Sequence, residues 1–329
     1  MQNQQNKMRK EYLYTAFMCI GITVLIILLI VVGGCEPQKS ETESKESESA
    51  SQSSTSTESH AGEASEPDDE QSKVEITLPG GYQLVEYPSI GKMTGLLALT
   101  DVNYMSTIEV EPNGLVNISE NKSDSYGLSG YSLRLNEDAI KALNKMIESF
   151  EASKGENNLI VNEAYIHGSS LVDSPVRKDL SNGYTVNFSI WPPDKDGEDI
   201  GSGKYIWLVD NCTRFGYILR YPAEKQSYTQ VTGYGTARVY RYVGYEHAAY
   251  MSQWHLCLEQ YIDAVRNSTF DEPIVVSYKD ASGDQKTCFV YYIPSSEGEF
   301  TQLKIRGGED TEYTVSGDGS TGFIITCYE

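Results

Sequence analysis

The sequence predicts an α+β protein, a mixed and largely antiparallel sheet with segregated helices, followed by a small all-β appendage. Three observations predict it. Residues 137–153 carry apolar side chains at helical spacing, with Ile140, Leu143, Met146, Ile147 and Phe150 on one face. Tyr184, Val186, Phe188 and Ile190 alternate with polar residues, the period of a half-buried strand. From Pro273 to Glu329 no helical period survives, and β-rich runs alternate with turn residues such as Ser316-Gly317-Asp318-Gly319.

The globular region starts at about Val74. Residues 1–11 carry Lys7, Arg9 and Lys10, and residues 12–34 form a nearly unbroken apolar run through Ile22, Leu25, Ile27 and Ile30. About 20 such residues, at ~1.5 Å each, span the hydrocarbon core of a bilayer. The basic flank keeps the N-terminus in the cytoplasm, so the expected location is the cell membrane with the folded part outside. The run ends in Gly33-Gly34-Cys35, similar to a bacterial lipobox, which makes Cys35 a lipidation candidate. An uncleaved signal anchor is the other reading, and both tether the chain. Residues 35–73, rich in Ser, Glu and Thr, bury too little apolar surface to offset their ordering entropy and read as a disordered, extended linker. Much of the net charge of −21 lies there, and this acidity argues against nucleic-acid partners.

Within the folded region strands are expected at residues 81–85 and 96–99. The helix at 137–153 has Asn136 as its cap, acidic Glu137 and Asp138 in the first turn, and Gly155 as its stop. A β-rich run, Leu159-Ile160-Val161, leads into Asn162-Glu163-Ala164-Tyr165. A short helix is expected over 204–213, strands over 216–221 and 239–243, and two helices over 246–254 and 258–266. The division expected is a core over 74–268 and a small β-domain over 269–329. Cys212, Cys257, Cys288 and Cys327 fall in the folded part. A local bridge between Cys288 and Cys327 and four reduced, buried thiols are both open.

The stretch Trp207–Pro222 reads WLVDNCTRFGYILRYP, and Tyr240-Arg241-Tyr242-Val243-Gly244 follows it. Together these resemble the VanY-type D-alanyl-D-alanine carboxypeptidases, a zinc peptidase family. Residues 160–165, Gly183-Tyr184-Thr185-Val186-Asn187, Glu246-His247-Ala248 and Leu258-Glu259-Gln260-Tyr261-Ile262 resemble further family segments, in the family's order. The resemblance implies a VanY-like peptidase core acting on peptidoglycan at the cell wall.

In the family, zinc is bound by the His and Asp of a Ser-x-His-x-x-Gly-x-Ala-x-Asp segment and by the His of Glu-Pro-Trp-His, whose Glu is the catalytic base. Aligned on Gly183, the Ser position is Lys178, the first His position Leu180 and the Asp position Asn187. Anchored on Arg241–Gly244, the second His is Val239 and the base is Thr236. The arginine that grips the substrate carboxylate is Ile166. Leu and Val have no lone pairs for zinc, and a threonine hydroxyl has no suitable pKa for general-base work. No zinc or other cofactor is therefore expected, although the family uses zinc. Of the four histidines, His60, His167, His247 and His255, none forms a metal-binding spacing.

The expected function is a membrane-tethered envelope protein with an inactive carboxypeptidase-like core. It binds a peptidoglycan stem peptide or another envelope protein through a groove of Tyr165, His167, Asn187, Arg220 and Tyr242. The alternative is an active D-alanyl-D-alanine metallocarboxypeptidase with a non-standard metal site.

Overall fold

The computed structural model describes residues 81–100, 111–167, 175–232 and 236–329. The apolar segment at 12–34, Cys35 and the acidic linker lie outside the described residues, and no helix among those described is long and apolar enough to cross a membrane.

The first strands are β1 (Tyr82–Pro88), β2 (Leu115–Asn117), β3 (Gly127–Leu128) and β4 (Arg134–Asn136). Helix α1 (Glu137–Lys154) follows directly. The Asn136 side-chain oxygen accepts from the backbone N–H groups of Asp138 (3.0 Å) and Ala139 (3.4 Å), satisfying two donors that the helix leaves open. Gly155, at φ 73°, closes the helix in a left-handed conformation that a Cβ would strain. One face of α1, from Ala139 to Phe150, is buried, each large apolar side chain contributing ~1.5–3 kcal/mol through burial.

That face lies on a five-stranded sheet of order β3-β5-β6-β8-β7, formed with β5 (Leu159–Glu163), β6 (Thr185–Ile190), β7 (Tyr217–Leu219) and β8 (Val239–Tyr242). Only β3 and β5 run parallel; the other neighbours are antiparallel. Strand alternation puts Val186, Phe188 and Tyr240 into the core shared with α1. Thr185 and Asn187 on β6, with Val239 and Arg241 on β8, therefore face the other way. Between β5 and β6 a short helix, α2 (Pro175–Asp179), runs into a turn at Leu180–Asn182. Helix α3 (Ile206–Asn211), inside the expected 204–213 helix, sets Trp207 against Phe150, with ring centroids 5.8 Å apart.

The remaining elements are α4 (Tyr245–Gln253), α5 (Leu258–Arg266), β9 (Ile274–Lys279), β10 (Gln285–Pro294), β11 (Phe300–Arg306), β12 (Tyr313–Gly317) and β13 (Gly322–Tyr328). An antiparallel sheet of order β12-β13-β10-β9 is covered on both faces. Val276, Cys288, Val290 and Ile324 pack against Met251, Leu258, Ile262 and Val265 of α4 and α5. Tyr291, Phe323, Ile325 and Cys327 pack against Leu303 and Ile305 of β11 and Val85 and Tyr87 of β1. β1 pairs antiparallel with β11, Tyr82 opposite Arg306 and Pro88 opposite Phe300, so the start of the folded region is tied to its last strands.

Two expectations need correction or resolution. The apolar run at 96–99 is buried but forms no strand. Its backbone is held instead by other partners: Leu97 N–H donates to Ser316 Oγ (2.8 Å), and the carbonyls of Leu96 and Ala98 accept from Arg241. The four cysteines are unbridged and buried. Phe289, not Cys288, stands opposite Cys327, and this offset by one residue sends the two thiols to opposite faces of the sheet.

Candidate functional site

The face of the central sheet turned away from α1 carries the positions that the resemblance assigns to the metal. Asn187 stands opposite Val239 on β8 and opposite Glu163 on β5. Leu180 is fully buried, and its carbonyl accepts from the Ile166 N–H (3.4 Å). Thr236 opens a single 3-10 turn three residues ahead of Val239. The register thus brings Ile166 to Leu180 and Asn187 to Val239.

What fills these positions is apolar or already committed. Val239 packs with Tyr221, Val231 and Val176. Asn187 Nδ2 donates to Glu163 Oε2 (2.9 Å), and Arg177 Nη2 donates to Glu163 Oε1 (2.9 Å). Neither Glu163 nor Arg177 is singled out by the sequence motifs. They come together because a β-bulge after Val161 sets Glu163 opposite Asn187, while α2 carries Arg177 over the same face.

Beneath lies a buried ion cluster. Asp179 Oδ1 accepts from Arg220 Nε (3.1 Å) and Arg241 Nη1 (3.0 Å), and its Oδ2 accepts from the Thr185 hydroxyl (2.6 Å). Thr100 also donates to it, at 3.1 Å. Glu259 of α5 lies 2.7 Å from Arg220 Nη1. Burial by itself would raise the Asp179 pKa, but the guanidiniums of Arg241 and Arg220 and the Thr185 hydroxyl outweigh it and hold the carboxyl below its ordinary value. This cluster accounts for the two arginines of the recognised motifs: Arg220 and Arg241 are both completely buried. Arg220 is therefore a core residue and lines no groove.

The other groove candidates separate. Tyr165 is half-buried, with the Arg134 guanidinium 5.1 Å from its ring centre. His167 is exposed. Tyr242 points to the α1 side of the sheet, packed on Tyr217 at 5.4 Å between centroids, and is not brought together with Asn187. His247 is buried on α4, its Nδ1 2.6 Å from the Tyr261 hydroxyl. Burial pushes its pKa down, against the opposing pull of Glu246.

The zinc ion of the family does not fit this set of side chains. Leu180 and Val239 present hydrocarbon, Asn187 presents an amide whose nitrogen is engaged by Glu163, and Glu163 is paired with a cation. Bringing Zn2+ to Glu163 would set it against the Arg177 guanidinium. Among the described residues no three His, Cys, Asp or Glu side chains gather where a metal ion could be held.

The chain is 25% identical over 247 residues to a D-alanyl-D-alanine carboxypeptidase of Enterococcus faecium, covering 71% of this chain and 75% of that protein. It is 44% identical over 64 residues to a D-alanyl-D-alanine carboxypeptidase of Enterococcus faecalis (strain ATCC 700802 / V583), covering 19% of this chain and 23% of that one. Among solved structures it is similar to the vancomycin-resistance D,D-dipeptidase VanXYg in complex with a D-Ala-D-Ala phosphinate analogue. That fold superposes with a TM-score of 0.60 at 19% identity, over 76% of this chain and 100% of that chain. No family model matches the chain. In motif order and in fold the chain is thus similar to the VanY-like D-alanyl-D-alanine carboxypeptidases.

Proposed function

We propose that this chain is a non-hydrolytic VanY-like module of the bacterial envelope, tethered to the membrane by residues 12–34. Its role is to bind a peptidoglycan stem peptide or an envelope protein without cleaving it. One observation carries the reading: the positions that hold zinc in the family are Leu180, Asn187 and Val239, with Asn187 bonded to a Glu163 that is itself ion-paired to Arg177. Without a bound metal no water has its pKa brought toward neutrality and no Lewis acid polarises the scissile carbonyl. Thr236 offers no base in its place.

The relatives' names supply the substrate class: both are D-alanyl-D-alanine carboxypeptidases. The test is incubation of the purified chain with stem pentapeptide, with and without added zinc and with and without chelator. The reading expects no release of D-alanine in any arm and retention of intact pentapeptide or of an envelope protein on immobilised chain. Chelator-sensitive D-alanine release would instead establish an active metallocarboxypeptidase with a non-standard site.

A further inference from the structure

A cavity lies where β11 ends against β1 and β13, away from the face that carries Asn187 and Val239. It measures about 270 Å3, just below the range of pockets that accept drug-sized molecules. Tyr82, Phe270, Phe289, Cys327 and Tyr328 give it an apolar wall, and Arg306 provides the one cationic group among its lining residues.

Arg306 is placed unusually for a structural arginine. Its residue is 6% exposed, and its guanidinium carbon lies 5.0 Å from the Phe270 ring centre and 5.1 Å from that of Phe289. Nη1 donates to the Phe270 carbonyl, whereas Nη2 is shut off from solvent and has no hydrogen-bond partner. No carboxylate pairs with Arg306 at ion-pair distance among the described residues; Asp271 is near enough to act on it electrostatically, and Glu329 lies at the cavity. Lys304, two residues earlier on the same face of β11, adds a second cation 3.7 Å from the Phe270 ring centre. A buried guanidinium nitrogen without an acceptor is costly, and such a group calls for a ligand that completes it.

We propose that this cavity is a binding site for a small carboxylate with an apolar body, Arg306 pairing with the carboxylate and the rings of Tyr82, Phe270 and Phe289 enclosing the body. Pairing requires the guanidinium to turn away from the Phe270 carbonyl, so that Nη2 comes to the cavity wall. The size fits molecules such as benzoate or hexanoate, free or as the carboxylate terminus of a peptide ending in an apolar residue. Charge selects the ligand, because an uncharged amide of the same shape fills the apolar wall equally but leaves the guanidinium without an anion.

Isothermal titration of the purified full-length chain with benzoate and with benzamide, at matched ionic strength, tests this. The expected result is saturable benzoate binding, with benzamide weaker by about tenfold or more. Arg306→Gln, checked for folding by circular dichroism, is expected to bind both alike. Comparison of the two ligands on the natural chain needs no variant, so the test stands if Arg306→Gln does not fold. Equal affinity for the two ligands, absence of saturable benzoate binding, or a preference for benzoate that persists in folded Arg306→Gln would overturn the proposal. An acetylated dipeptide ending in phenylalanine distinguishes the two sources. Displacement of benzoate by its free-acid form but not its amide form supports a peptide terminus, and binding of benzoate alone supports a free acid.

Discussion

Glu163 accepts from two residues on this face, the Asn187 amide and the Arg177 guanidinium. Arg177 is 41% exposed at its side chain, so water screens part of that pair. Glu163→Ala is expected to lower the unfolding free energy by ~1 kcal/mol, read by urea denaturation. Glu163→Gln, which keeps an acceptor for Asn187, is expected to cost less. Asp179 is a different case, because it holds two buried guanidiniums. Asp179→Asn is expected to destabilise by ~3–5 kcal/mol, since it leaves buried charge uncompensated. Its native pKa lies below the unfolded value, so its contribution is full above about pH 4 and is lost as pH falls through the native value. A loss below 1 kcal/mol in Asp179→Asn would show the cluster to be dispensable. None of these roles is readable along the chain, because Asp179 meets Arg220 and Arg241 across 41 and 62 residues of sequence.

Helix α1 and the strands after Pro273 were legible because their signals are local: periodicity, an Asn cap, a Gly stop, and turn residues between β-rich runs. Asn136→Ala is expected to cost ~1 kcal/mol, measured by thermal or urea unfolding. The 96–99 run has strand-like composition but forms no strand, because its backbone partners, Arg241 and Ser316, belong to distant elements. Motif spacing singles out Leu180, Asn187 and Val239, and the sheet register sets Asn187 opposite Val239. The bulge that installs Glu163, and the inward turn of Arg220, depend on sheet register and carry no sequence mark. His247 on α4 gives this level a pH signature. Its folded pKa is depressed by burial, so the unfolded chain binds the extra proton first. Stability is therefore full above about pH 6.5 and declines as pH falls toward the native value. The urea midpoint is expected to fall between pH 7 and pH 5, and to fall less in His247→Gln; identical slopes would rule out this origin.

At the scale of the molecule, a VanY-like fold carries no zinc-binding side chain at two of the positions that the resemblance assigns to the metal, Leu180 and Val239, and an amide at the third, Asn187. The two larger sheets have covered faces, one under α1 and one between α4, α5 and the β1–β11 ribbon, so apolar packing holds the scaffold. The replaced positions are occupied by a packed valine, a buried leucine and an asparagine engaged by Glu163, which is itself paired with Arg177. The most direct test of this account is the zinc retained by the purified chain after equilibration with the ion and gel filtration, counted by mass spectrometry of the metal. The account predicts no stoichiometric zinc in the natural chain or in Glu163→Ala. Stoichiometric zinc retained by the natural chain, and released on Glu163→Ala, would contradict it.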